Sequence, residues 1–263
     1  MKFLKISYLL FFCLALEAVI VDTGHANVSL VKFESLEGDR SKTLLGIKMD
    51  MQENWHTYWK NPGDSGGPIK VVWSHDNNIS ISKIYWPTPT LIPYEPLMTY
   101  GYKNFVIFPF EITNSNNKNS YIEANIDFLI CDDICVPEKA LIKTNLDEIN
   151  IDPSLNDWFL KVPDQVLPVK ASVDSEYINI RFSSPFNVSS AIFFVDEQDI
   201  VEHAENQKLS KEENNYLLSI KKVDYLESFE NLSGVLSINN NESFIIYAEI
   251  EIVTQNSFNI SFF

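Results

Sequence analysis

Cysteine is scarce in this chain: 3 among 263 residues, too few to staple a fold of that length as a disulfide scaffold. Glycine (8) and proline (12) are too sparse for a collagen-like or low-complexity chain. Basic side chains number 20 against 36 acidic ones, a net charge of −16. Nucleic acid is therefore not an expected partner, because phosphate binding needs clustered Lys and Arg. Beyond the N-terminal segment no apolar run approaches the roughly 18 residues that cross a bilayer, so no stable membrane insertion is expected. What the chain does have is apolar and aromatic: 45% hydrophobic and 13% Phe, Trp and Tyr. That excludes disorder, and at roughly 100–200 residues per domain the length allows one large domain or two small ones.

Lys2 and Lys5 precede an apolar run over residues 6–16, the pattern of a secretory signal. A membrane anchor is the competing reading, but Glu17 interrupts the run, which is too short to cross about 30 Å of hydrocarbon. Phe11-Phe12 before Cys13 lacks the small residues of a lipoprotein site. Gly24-His25-Ala26 offers the best small-residue cleavage site, so residues 1–26 are expected to leave as a signal peptide. Cleavage there removes Lys2, Lys5, Glu17 and Asp22, and the net charge stays at −16. It also removes His25 and leaves only Cys131 and Cys135. The chain is expected to be exported.

The remainder reads as β. Residues 28–33, 43–49, 71–73, 79–86, 105–112 and 121–128 are short runs rich in β-branched and aromatic residues, separated by Asn, Asp, Gly and Pro clusters. That rhythm predicts an antiparallel β-sandwich over residues 27–150. A second set at 177–182, 191–195, 216–223, 234–238 and 244–253 predicts a smaller β-sandwich-like domain over 166–263. Between them, Ser154 is expected to cap a short helix with Leu155, Trp158 and Phe159 on one face, and Pro163 and Pro168 follow. Residues 151–165 are therefore read as a linker. The Asn-rich stretches at 115–119 and 239–241 read as loops, the latter a hairpin turn.

Cys131-Asp132-Asp133-Ile134-Cys135-Val136-Pro137-Glu138 is the most informative stretch. A disulfide needs Cα atoms about 4.4–6.8 Å apart. Four extended steps would separate these two by about 13 Å, so the segment must fold back. Asp132-Asp133 is turn chemistry, and Pro137 is expected to stop regular pairing soon after. Redox exchange and a structural staple both remain open. Closing so short a loop removes only about 2 kcal/mol of unfolded-state entropy, whereas a short-range pair on a turn suits exchange with an attacking thiolate. The four histidines, His25, His56, His75 and His203, form no ligand spacing, and neither metal nor cofactor is expected. Asp132, Asp133 and Glu138 disfavour a thiolate, with Lys139 opposing them, which predicts a comparatively reducing couple.

Trp55-His56-Thr57-Tyr58-Trp59-Lys60-Asn61-Pro62-Gly63-Asp64-Ser65-Gly66-Gly67 concentrates aromatics and glycines. The glycines do not make a phosphate loop, since the Lys-Ser/Thr pair and a following helix are missing. A core strand ending in a tight turn is the plain alternative, with Gly66-Gly67 allowing close backbone approach. A second segment, residues 92–102, carries Tyr94, Met98, Tyr100 and Tyr102 in a loop-like context that suggests contact with a partner.

Together these segments resemble the periplasmic N-terminal domain of the thiol:disulfide interchange protein DsbD, and more closely its relatives in the ScsB branch. The matching pieces run from Trp55 to Gly66, then Trp86-Pro87-Thr88-Pro89, Thr99-Tyr100-Gly101-Tyr102, and Cys131 to Glu138, covering about residues 30–150. The resemblance implies an immunoglobulin-like sandwich with the two cysteines on neighbouring strands. It also implies electron flow from a membrane-embedded partner to periplasmic thioredoxin-fold proteins, such as a disulfide isomerase or a cytochrome c maturation reductant. A cap loop is expected to shield the sulfurs, here through Met98, Tyr100 and Tyr102, with His56 and Tyr58 beside the pair and Asp132 and Asp133 within it. Only three residues separate the cysteines, tighter than in the best-known members, and the cap lacks an obvious Phe. No transmembrane or thioredoxin-like domain follows, so a separate membrane reductase of the DsbD or CcdA kind is expected.

The expectation is thus an exported, periplasmic, two-domain β protein that acts as a component of protein-disulfide reduction. The residues leave open whether Cys135 or Cys131 attacks; the resemblance implies Cys135 as the attacking thiolate, with Cys131 resolving. The competing expectation is a non-catalytic binding or scaffold protein with a structural disulfide, linked to copper tolerance or cytochrome c maturation. Redox titration against glutathione should place the Cys131/Cys135 couple among electron donors. A potential as oxidising as that of a disulfide-introducing enzyme, roughly −120 mV, would contradict the charge argument.

Overall fold

The computed structural model describes residues 19–33, 42–115, 119–226 and 229–252. The apolar run at 6–16, the centre of the 115–119 stretch and the last residue of the expected 244–253 strand lie outside them. In chain order the first strands are β1 (Ile20–Asp22), β2 (Ala26–Lys32), β3 (Lys42–Met51), β4 (His56–Gly63), β5 (Lys70–His75) and β6 (Ile79–Ile81). Next come β7 (Thr90–Tyr94), β8 (Leu97–Lys103), β9 (Phe105–Asn114), β10 (Tyr121–Cys131) and β11 (Cys135–Asn145). One sheet runs β1-β2-β3-β9-β6, and its partner runs β11-β10-β4-β8-β7 with β5 also on β10.

These two antiparallel sheets close an immunoglobulin-like sandwich, with Val28, Leu45, Ile47 and Phe108 of one meeting Trp59, Ile126, Ile130 and Ile142 of the other. Alternation drives the closure. In β10, Ile122, Ala124, Ile126, Phe128 and Ile130 are buried, while Glu123, Asn125, Asp127 and Leu129 between them are not. A one-residue slip would turn every apolar side chain outward, so the pattern fixes the register.

Seven further strands follow: β12 (Val169–Val173), β13 (Tyr177–Phe182), β14 (Ala191–Val195), β15 (Lys208–Glu212), β16 (Asn215–Lys221), β17 (Asn231–Ile238) and β18 (Glu242–Ile252). Their order is β14-β17-β18-β12-β13-β16-β15. Strand β18 pairs with β17 along its first part and, in parallel, with β12 at Ile250–Ile252. The two ends of this sheet pack Ile178, Phe182 and Leu218 against Phe193, Leu236 and Ile246. The β12–β18 pairing is parallel, whereas the other neighbours in this sheet run antiparallel. The turn expected at 239–241 does join β17 to β18, with Asn239 and Asn240 at positive φ.

Three local expectations are corrected. Pro137 does not stop pairing: β11 continues to Asn145, because it lies at a sheet edge where a missing N–H leaves no ladder bond unmade. The 79–86 run is regular strand only over Ile79–Ile81, although Ser82 N and Tyr85 N still donate to Glu111 O and Pro109 O of β9, at 2.9 and 2.8 Å. Ser154 does not cap α1 (Leu155–Phe159); its hydroxyl donates to Asp152 Oδ1 at 2.7 Å instead. Leu155 is nevertheless buried against Val31, Phe33 and Ile107, with Trp158 beside Phe105, so this short helix plugs one edge of the sandwich.

The strands beyond residue 165 also meet the sandwich directly. Trp59 and Tyr100 both pack edge-on against Phe194, at 6.2 and 5.1 Å between ring centroids. Asn61 is 1% exposed, and its Nδ2 donates to Val195 O and Glu197 O, both at 2.9 Å. Lys60 pairs with Asp196 at 2.7 Å. Asn61→Ala would leave one buried and one partly buried carbonyl without their donor and should lower the unfolding free energy by about 1–3 kcal/mol in urea titration. An unchanged midpoint would contradict this account of the junction.

Candidate functional site

Strands β10 and β11 form a hairpin whose loop is Asp132-Asp133-Ile134, closed by Asp132 N donating to Ile134 O at 3.2 Å. Cys131 and Cys135 face each other across its end with Cα atoms 4.2 Å apart and are disulfide-bonded. The chain thus folds back as the spacing required. Because Ile130 points into the sandwich, Cys131 points out of it, and its cross-strand partner Cys135 shares that outer face. The two sulfurs differ sharply in access: Cys131 is 2% exposed, whereas Cys135 is exposed.

Strand β4 meets β10 through one in-register pair, His56 opposite Cys131. Two residues on, Tyr58 lies on the same outer face. Its hydroxyl donates to Cys131 Sγ at 2.7 Å and lies 3.4 Å from Cys135 Sγ. The ring of His56 meets that of Tyr58 edge-on at 5.3 Å. Gly66 makes the placement of Tyr58 possible. Its φ is +96°, and a Cβ there would fall 2.2 Å from the Tyr58 ring, so any side chain would displace the phenol.

Burial pushes the Tyr58 phenol above its usual range, against a smaller opposing hydrogen bond from Ser65, so Tyr58 remains a donor at neutral pH. Burial, aided by Lys103 and opposed by Asp132, lowers the pKa of His56, which leaves its ring neutral at pH 7. Asp132 and Asp133 are exposed on the loop. Glu138 does not join them. It lies on the core-facing side of β11, where Thr23 donates to its carboxylate and His25 Nδ1 sits 2.5 Å from its Oε1. Lys139 is paired with Asp127 at 2.6 Å. Of the acidic trio read from the sequence, two members act on the sulfurs' face.

The expected cap is placed differently. Strands β7 and β8 form a hairpin turning at Glu95-Pro96, and the residue that touches the cysteine loop is Tyr94, whose hydroxyl donates to Asp133 O at 3.1 Å. Met98 instead anchors the hairpin close to its turn: its N donates to Asp64 Oδ2 at 2.8 Å, and its carbonyl accepts from Asp64 N at 3.0 Å. Tyr100 is buried toward the second set of strands, where its hydroxyl meets His203 Nδ1 at 2.9 Å. Tyr102 is buried near Phe108 and donates to Pro87 O at 2.7 Å. Alternation explains both corrections, since Thr57 and Trp59 point inward with Tyr102 and Tyr100 while Tyr58 points outward with Gly101. Nor is Cys135 shielded as a cap would imply. Ile134, 67% exposed, and Tyr94, 50% exposed, flank it as an apolar rim.

The site therefore unites Cys131, Cys135, His56, Tyr58, Asp132 and Asp133, and leaves out Met98, Tyr100 and Tyr102. Sequence reasoning missed Tyr94 and Ser65 as neighbours, although both lie in segments flagged for their composition. Among the described residues no group of three or more His, Cys, Asp or Glu side chains is arranged to hold a metal ion. No helix among them is long and apolar enough to cross a membrane.

Residues 27–146 match the family model described as thiol:disulfide interchange protein DsbD, N-terminal. The N-terminal periplasmic domain of ScsB from Proteus mirabilis superimposes with a TM-score of 0.69 at 17% identity, covering 88% of this chain and 96% of that one. At that coverage the shared fold extends beyond the family match into the later strands. The yeast GGA1 GAE domain gives a TM-score of only 0.28 at 10% identity, over 49% of this chain and 98% of that one, too low to bear on the fold. No curated protein matches the chain significantly.

Proposed function

Residues 27–146 form a DsbD N-terminal-like domain with a closed cysteine pair, and from that premise we propose that the protein exchanges dithiols with thioredoxin-fold partners in the periplasm. The observation that carries the proposal is the asymmetry of the pair. One sulfur of the disulfide is open to an attacking thiolate, and the other is buried beneath a hydroxyl donor.

In the electron-accepting step, a thiolate of the donor attacks Cys135 Sγ, forming a mixed disulfide as the Cys131–Cys135 bond breaks. Cys131 leaves as a thiolate, and the Tyr58 hydroxyl already points at it. A hydrogen bond to a charged group contributes about 1.5–3 kcal/mol, enough to offset part of the cost of a buried sulfur anion. The donor's second thiolate then releases Cys135, leaving an oxidised donor and a reduced pair. Delivery runs in reverse: the Cys135 thiolate attacks an acceptor disulfide, and Cys131 resolves the mixed species, restoring the intramolecular bond. A membrane-embedded disulfide reductase fits the donor role and a thioredoxin-fold protein the acceptor role. The exposed Ile134 and Tyr94 supply an apolar docking rim beside Cys135.

Cysteine variants of the full chain test the mechanism. Either Cys→Ser change should abolish turnover with a thioredoxin-fold acceptor, and Cys131→Ser should accumulate a mixed disulfide through Cys135 that nonreducing electrophoresis detects. Tyr58→Phe should keep the fold and slow reduction about ten- to a hundredfold, the rate equivalent of the lost hydrogen bond. A single cysteine variant that retains full turnover would refute the proposal.

A further inference from the structure

The segment assigned to a removable leader by its small residues is built into the fold. Strand β1 pairs with β2 at Ile20–Ser29, Val21–Val28 and Asp22–Asn27. A tight turn follows, in which Gly24, at φ +109°, donates its N–H to Asp22 Oδ1 at 2.9 Å. Gln52 holds the turn from the neighbouring strand, its Nε2 donating to Gly24 O at 2.7 Å and its N to His25 O at 2.9 Å. The His25 ring stacks on Trp55 with centroids 3.9 Å apart.

The side chains of this segment also answer a need of the strand that carries Cys135. Glu138 lies three residues after Cys135, on the inner side of β11, and its side chain is 6% exposed. Its carboxylate takes the Thr23 hydroxyl and the His25 ring as partners. Cleavage after Ala26 would strip both partners from a buried carboxylate, bare one face of Trp55 and leave β2 paired on one side only, with β3. A buried charge left unpaired is strongly destabilising.

We propose that the exported chain is cut upstream of Ile20 and keeps residues 20–26 as a clamp on Glu138 behind Cys135. Hydrolysis of one peptide bond there by a signal-cleaving protease consumes one water and leaves one new carboxylate and one new amine. The cleavage rests on the export reading; the clamp does not.

The test is the intact mass and N-terminal sequence of the protein recovered from the periplasm of cells expressing the full reading frame. A chain that has lost the apolar run and begins no later than Ile20 is expected. A chain beginning at Asn27 would overturn the proposal while leaving export intact. A cytosolic chain retaining Met1 would overturn export and, with it, the cleavage. The clamp is tested separately in the full chain. Thr23→Val with His25→Leu should lower the thermal midpoint by several degrees, and adding Glu138→Leu should restore most of the loss by removing the orphaned charge. Failure of that rescue would overturn the clamp.

Discussion

Period-two alternation at the end of one hairpin is the constraint on which the site depends. The apolar residues of β10 commit Ile130 to the sandwich core, and that commitment alone turns Cys131 outward. Register then sets Cys135 and His56 on the same face, and the period places Tyr58 there as well. The redox pair needs no separate scaffold, because core packing fixes which way both sulfurs point. What distinguishes them is local: a phenol held close by Gly66 covers Cys131, whereas Cys135 is exposed at the start of β11.

The surrounding structure reinforces the strands that bear this pair. Strand β4 presents His56 and Tyr58 to the sulfurs and, farther on, grips Val195 and Glu197 through Asn61. Strand β8 closes the hairpin that touches Asp133 and also holds His203 through Tyr100. The strands after residue 165 therefore grip two neighbours of the cysteine hairpin, and β11 is braced from its inner side through Glu138. The charge argument is sharpened accordingly. Asp132 and Asp133 bear on the outer face, while Glu138 is occupied on the inner one.

Much of this was legible in the sequence. The β-rich class, the folded-back cysteine segment and the pairing of His56 and Tyr58 with it all follow from composition, spacing and the resemblance. The cap assignment failed because Met98, Tyr100 and Tyr102 share one parity on β8, and that parity is inward. The sequence displays their bulk but not the face they take until the partner strand is known. Strand β11 was obscured by Pro137 and by Lys139 and Lys143 on its outward side, which a sheet-edge position tolerates. The retention proposed for Gly24-His25-Ala26 was hidden for a different reason. Small residues fit a cleavage site and a tight turn equally well, and only the buried carboxylate of Glu138, far along the chain, separates the two.

The central claim is that the Cys131–Cys135 bond is made and broken in use. It is tested most directly by alkylation trapping of the two cysteines in intact cells, with and without the membrane disulfide reductase proposed as electron donor. The account predicts a partly reduced pool that becomes fully oxidised when the reductase is removed. A pair fully oxidised in both strains would contradict it and leave the disulfide a staple.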